Sequence, residues 1–271
     1  MSHETDISFL DRPEILEVIF PVVYSPFFPY DYFQSEASSG RTYSIEVERG
    51  TKINCGFWVC GKDMPSILYF HGNGETVADY NWVAPFYNQR GINLFVADYR
   101  GYGSSEGIPT LSNMLTDAHA IFSGFREVLL KEGFKADVFL MGRSLGSLPA
   151  IELAFHYQND IGGLIVESGS AHNFRRLWEY LSDNERKTIL SEEKPFLNKV
   201  KIRQISKPTL VIHGDLDQIL PVTEGHELYQ NSGAEEKKLL IITGADHNNV
   251  MVINQDLYFG TIEEFVKSHG R

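Results

Sequence analysis

Ser144 stands between two glycines in the run VFLMGRSLGS, residues 138–147. An apolar stretch stops at Gly142, and a helix-compatible stretch, Leu148 to His156, begins after Gly146. This is the G-x-S-x-G pattern of a nucleophile elbow. It predicts a strand that turns sharply into a helix with Ser144 at the apex, in a backbone conformation costing about 1–3 kcal/mol. Gly142 and Gly146 lack Cβ atoms, so strand and helix can approach closely. The N–H of Leu145, at the start of the helix, would point to where negative charge develops in acyl transfer. A serine hydroxyl is a weak nucleophile near neutral pH and needs a base, which in turn needs an orienting acid. Two later stretches offer them. HGDLDQILP, residues 213–221, carries Asp215 and Asp217, and TGADHNN, residues 243–249, carries Asp246 and His247. Glu167 is a further candidate acid.

These residues can meet only if the elements before them end at one place. Short, almost wholly apolar runs occur at 67–70, 92–97, 138–141, 164–166, 210–212 and 239–242. Such runs are buried on both faces, as in a parallel sheet. Residues 42–49 and 51–60 alternate with a period of two and read as an antiparallel pair turning at Arg49-Gly50. The intervals between runs carry helical stripes. The clearest comprises Met114, Leu115, Ala118, Ile121, Phe122, Phe125, Val128 and Leu129, ending before Gly133. Alternation of this kind predicts an α/β fold with eight strands, mostly parallel, and helices on both faces. With no repeat or low-complexity linker, residues 1–271 read as a single domain. An aromatic-rich lead-in occupies about 1–40, with Phe27, Phe28, Tyr30, Tyr32 and Phe33 as a candidate gating or partner-binding flap. Residues 170–206, where 171–190 reads as helical, form a small cap insertion or a surface excursion.

Composition narrows the function classes. The chain has 24 basic and 36 acidic residues, a net charge of −12, which disfavours nucleic acid or an anionic membrane as the main partner. Cys55 and Cys60, the only cysteines, sit five apart in a strand-like run and predict neither a disulfide nor a metal site. The N-terminal stretch lacks a basic n-region, and the apolar stretch 18–28 is interrupted by Pro21 and Pro26. Neither a secretory signal nor a membrane span is expected, and the cytoplasm is the expected compartment. The glycines of DYRGYGSSEG, residues 98–107, do not fit G-x-G-x-x-G, so no dinucleotide is predicted. Asp98 and Arg100 read instead as a loop-bracing polar pair.

The motifs HGN, DYRGYG, GRSLG and HGDxDxxxP, in that order, resemble those of the α/β-hydrolase superfamily over nearly the whole chain. The likeness is to its small, lid-poor serine hydrolases. The resemblance implies an α/β-hydrolase fold with Ser144 as nucleophile, Asp217 as acid and His247 as base. Asp217 is preferred to Asp215 because the family's acid stands four residues before a proline, here Pro221. It also implies a second oxyanion-hole N–H on Asn73, beside that of Leu145, and a buttressing role for His71. The expected activity is cleavage of a small-molecule carboxylic ester or thioester through an acyl-enzyme, without metal or organic cofactor. A neutral imidazole base predicts activity falling below about pH 6.5–7. A depalmitoylase-like protein deacylase is the related alternative, and a ligand-binding protein on a hydrolase fold is the alternative from another class. Arg143, beside the nucleophile, would either bridge loops or meet an acidic substrate group.

Overall fold

The structure, a computed structural model, describes residues 6–24, 40–173, 175–193 and 195–270. The aromatic cluster from Phe27 to Phe33, and Phe174, lie outside the described residues. Eight strands form one open sheet: β1 Arg41–Glu48, β2 Thr51–Trp58, β3 Ser66–Phe70, β4 Asn93–Ala97, β5 Val138–Arg143, β6 Gly163–Glu167, β7 Thr209–Gly214 and β8 Lys237–Ile242. Their order is β1-β2-β4-β3-β5-β6-β7-β8. β1 and β2 pair antiparallel, β2 meets β4 antiparallel, and every pairing from β4 to β8 is parallel. This is the eight-stranded, mostly parallel sheet that the apolar runs predict.

Those runs are continuous because both faces are covered. In β3, Leu68 and Phe70 join one core while Ile67 and Tyr69 join the other. In β5, Val138 and Leu140 divide from Phe139 and Met141 in the same way. One face packs against α1 Pro13–Ile19, α2 Pro21–Tyr24, α4 Leu111–Glu132, α5 Ser147–His156, α7 Asn198–Ile202 and α8 Val222–Asn231. The other packs against α3 Ala84–Asn88, α9 Val250–Ile253 and α10 Gln255–His269. α4 starts at a Thr110–Asn113 capping box and stops at Gly133, whose φ of 78° ends it in the left-handed conformation.

Three expectations need correction. Residues 171–190 are not one helix: a 3₁₀ segment, Arg175–Tyr180, precedes a short helix, α6 Asp183–Ile189. Ser182 caps α6 and separates the two, accepting from the Glu185 N–H. Asp98 and Arg100 do brace loops, but not with each other. Asp98 bonds His71, Asn54 and the Val77 N–H, whereas Arg100 grips Asp117 through two bonds of 2.7 Å and also holds Glu48. Cys60 lies beyond the end of β2 rather than within it, and both cysteines are free.

Candidate active site

Chain order places β4 on one side of β3 and β5 on the other. The loops leaving β3 and β5 therefore diverge, opening the crevice where ligands of open α/β sheets bind. Phe70 pairs with Gly142 at this point, so His71-Gly72-Asn73 and the Ser144 turn lie side by side. Ser144 has φ 50°, the left-handed region that an L side chain adopts only under constraint. Two glycines make the turn possible. A Cβ at Gly142 would collide with the Gly146 carbonyl, and one at Gly146 would collide with the carbonyls of Phe70 and His71. Close approach, rather than positive φ, is what demands glycine at both positions.

The loops after β7 and β8 bring the other two side chains. Ser144 Oγ lies 2.8 Å from His247 Nε2, and His247 Nδ1 lies 2.7 Å from Asp217 Oδ2. The carboxylate can only accept, so Nδ1 carries the proton and Nε2 presents its lone pair to the serine hydroxyl. Asp217 and His247 are buried, while Ser144 is partly exposed. A hydroxyl in this geometry can lose its proton to the imidazole as it attacks an electrophilic carbon.

Asp217 is anchored from several sides. Its Oδ1 accepts from the N–H groups of Ile219 and Leu220, and its Oδ2 lies 3.3 Å from His213 Nε2. Burial alone would raise its pKa, but the bonds from His213, His247 and Leu220 overcome this and hold the carboxyl well below its ordinary range. The rival acids are engaged elsewhere. Asp215 accepts from the Gly244 N–H, and Glu167 bonds the Tyr258 hydroxyl at 2.6 Å. Asp246 is exposed and accepts from the Asn248 N–H.

The loop after β3 is held from three directions. His71 is fully buried, with Nδ1 2.8 Å from the Gly72 carbonyl and Nε2 3.2 Å from Asp98. The Tyr99 hydroxyl donates to the His71 carbonyl. The Asn73 side chain donates to the Ile19 carbonyl and accepts from the Tyr102 hydroxyl, while among the described residues its backbone N–H has no hydrogen-bond acceptor.

Arg143 bridges loops. Its guanidinium pairs with Glu75, donates to the His247 carbonyl at 2.7 Å and to Asn248 Oδ1 at 3.2 Å, and lies 3.4 Å from Glu167. Glu75 in turn accepts from the Gly72 N–H. One buried cation thus links the loop bearing Asn73, the turn bearing Ser144 and the loop bearing His247. Burial alone would lower the pKa of Arg143, but Glu75 and Glu167 outweigh it and keep the cation protonated. Sequence reasoning missed Glu75 and His213. His213 stands near the end of an apolar strand and Glu75 in the loop that follows another, and neither position names its partner.

A cavity of about 750 Å³ lies away from this site. Its lining includes Val138, Gly162 and Pro208, at the opposite edge of the sheet.

Comparison with known proteins agrees with the fold. A family model described as serine aminopeptidase, S33, matches residues 62–183. Alpha/beta hydrolase domain-containing protein 17B of Homo sapiens is 27% identical over 243 residues, covering 88% of this chain and 78% of that protein. The 17C protein of Xenopus tropicalis is 26% identical, covering 88% and 73%. Among solved structures, Est1E from Butyrivibrio proteoclasticus with ferulic acid bound superposes with a TM-score of 0.68 at 20% identity, covering 84% of this chain and 98% of that one. The esterase Pf2001 of Pyrococcus furiosus gives 0.67 at 20% identity, covering 86% and 93%. The chain has the α/β-hydrolase fold of these structures and is similar in sequence to the alpha/beta hydrolase domain-containing proteins. The S33 match takes in the α/β-hydrolase elbow but ends before Asp217 and His247, so it says nothing of those two residues. No helix among the described residues is long and apolar enough to cross a membrane.

Proposed function

We propose that this α/β-hydrolase is a serine hydrolase that cleaves a carboxylic ester or thioester through Ser144, His247 and Asp217. The observation that carries the reading is the unbroken chain of bonds, 2.8 Å then 2.7 Å, ending on a serine held at φ 50°. Ser144 Oγ attacks the acyl carbon, and His247 Nε2 takes its proton. Asp217 keeps the imidazole in the required tautomer and stabilises the imidazolium. The N–H groups of Asn73 and Leu145 receive the oxyanion; losing one such donor costs about 10²–10³ in rate. The imidazolium then protonates the leaving alcohol or thiol. Water, deprotonated by His247, releases the acid from the Ser144 acyl-enzyme.

Labelling with a fluorophosphonate probe tests the reading. The wild-type chain is expected to label and Ser144→Ala to stay unlabelled. Equal labelling of the two would remove Ser144 as the activated nucleophile. A series of p-nitrophenyl esters and acyl thioesters of rising chain length then ranks the acyl group. An aminoacyl p-nitroanilide in the same series tests the amide cleavage named by the S33 family model.

A further inference from the structure

A second cluster of chemistry-bearing side chains lies between α4 and α5, outside the Ser144 site. Glu152 and His156 are one turn apart on α5 and share a face. His119 on α4 meets them, its ring centroid 5.2 Å from that of His156. Glu152 Oε1 lies 3.1 Å from His156 Nε2 and 3.7 Å from His119 Nε2. One ligand atom from each of the three residues lies within 4.8 Å of the other two. Zinc with bonds of about 2.0–2.1 Å in tetrahedral geometry spaces its ligands about 3.3 Å apart. Two of the three separations, 3.1 Å and 3.7 Å, are already close to that value.

The remaining atoms of the cluster are held so as to aim these three. Lys201, itself buried, bonds Glu152 Oε2 and leaves Oε1 facing the histidines. This ammonium opposes a cation, and it is committed to the other oxygen. His119 Nδ1 lies 2.9 Å from the Tyr157 hydroxyl. Donation from Nδ1 to that oxygen leaves the Nε2 lone pair for a metal, the outer-shell arrangement usual for ligating histidines. A cavity of about 380 Å³ adjoins all three residues and also touches Asp6, Ser8 and Thr116. It has room for the water that would complete the coordination.

We propose that His119, Glu152 and His156 bind a first-row divalent cation, zinc in preference, at a site separate from Ser144. Two imidazole nitrogens and one carboxylate oxygen suit zinc, whereas magnesium and calcium take all-oxygen sets. The ion would tie α4 to α5. The sequence predicts no metal because His119 and Glu152 are 33 residues apart and form no motif; helix packing alone brings them together.

The test is calorimetric titration of the EDTA-treated full chain with zinc chloride, with cobalt(II) absorption as a second readout. One equivalent is expected to bind, and thermal unfolding is expected to shift upward with zinc. His119→Ala and His156→Ala are each expected to weaken binding at least about 100-fold, and Tyr157→Phe about 10–100-fold, the range for outer-shell partners. His247→Ala is expected to leave the zinc isotherm unchanged. Loss of binding in His247→Ala alone would assign the metal to the Ser144 site and overturn the proposal. Should the alanine variants fail to fold, the wild-type chain decides, because the absence of a saturable one-equivalent isotherm overturns it equally.

Discussion

Arg143→Lys separates the two roles open to a buried cation, holding the fold and holding the reactive groups. Lysine keeps the positive charge between Glu75 and Glu167 but loses the planar fork, so it cannot serve Glu75 and the His247 carbonyl together. Arg143 Nη2 makes two of the bonds at stake, to the His247 carbonyl at 2.7 Å and to Asn248 at 3.2 Å. Losing one hydrogen bond to a charged group costs about 1.5–3 kcal/mol. That lies within the 5–15 kcal/mol by which a domain is stable, so the variant remains folded. Removing the charge with Arg143→Met is expected to cost more, about 3–5 kcal/mol, because buried Glu167 and half-buried Glu75 are left without their cation. The kinetic cost of Arg143→Lys is set by geometry. A misplacement of about 1 Å at a reacting group can cost about 10² in rate. The fluorophosphonate labelling rate constant and kcat for a p-nitrophenyl ester are therefore expected to fall about 10–100-fold, with KM little changed. Both are measured well below the unfolding midpoint, which calorimetry supplies for each variant. A folded Arg143→Lys protein that labels within twofold of wild type would refute the positioning role and leave Arg143 as a structural ion pair only.

Asp217→Asn should leave the fold intact and lower kcat by about 10⁴, the size of effect known for wrong-tautomer histidines in serine triads; Asp215→Asn, assayed beside it, should lose far less, since Asp215 bonds the Gly244 N–H and not His247. Glu152→Gln should destabilise the chain at pH 7 by about 3–5 kcal/mol, because buried Lys201 loses its charged partner. Burial alone would raise the pKa of Glu152, but Lys201 first and then His119 and His156 pull it far below its ordinary 4.5. A carboxyl depressed in the folded state contributes stability that is complete above its unfolded pKa and is lost as pH falls. The gap between wild type and Glu152→Gln in urea unfolding should thus stay constant from pH 7 to about 5 and narrow below about pH 4.5. A gap independent of pH would show that the pair contributes nothing through charge.

The sheet was legible in the chain because apolar runs such as ILYF and NLFVA have a single physical explanation, coverage on both faces. The turn at Ser144 was legible for the same kind of reason, since only glycine at 142 and 146 allows the backbone to close so tightly. What the chain concealed was partnership. Asp98 and Arg100 are two residues apart and of opposite charge, so pairing them was the simplest reading. Yet in this loop the two side chains leave on different sides, one toward His71 and the other toward Asp117. Residues 171–190 have helical spacing, but Ser182 breaks them because its side chain caps the next turn.

Arg143 shows why such partnerships escape a linear reading. Its four partners, Glu75, Glu167, His247 and Asn248, come from the ends of three other strands. Nothing local to GRSLG specifies any of them. They become neighbours only because a parallel sheet delivers all its carboxyl ends to one edge, and a guanidinium there can reach a loop 105 residues further along the chain. A short polar side chain at position 143 would leave the oxyanion loop and the histidine loop without a common anchor. On this reasoning the residue before the nucleophile, which contributes nothing to the reacting atoms, fixes how well they meet.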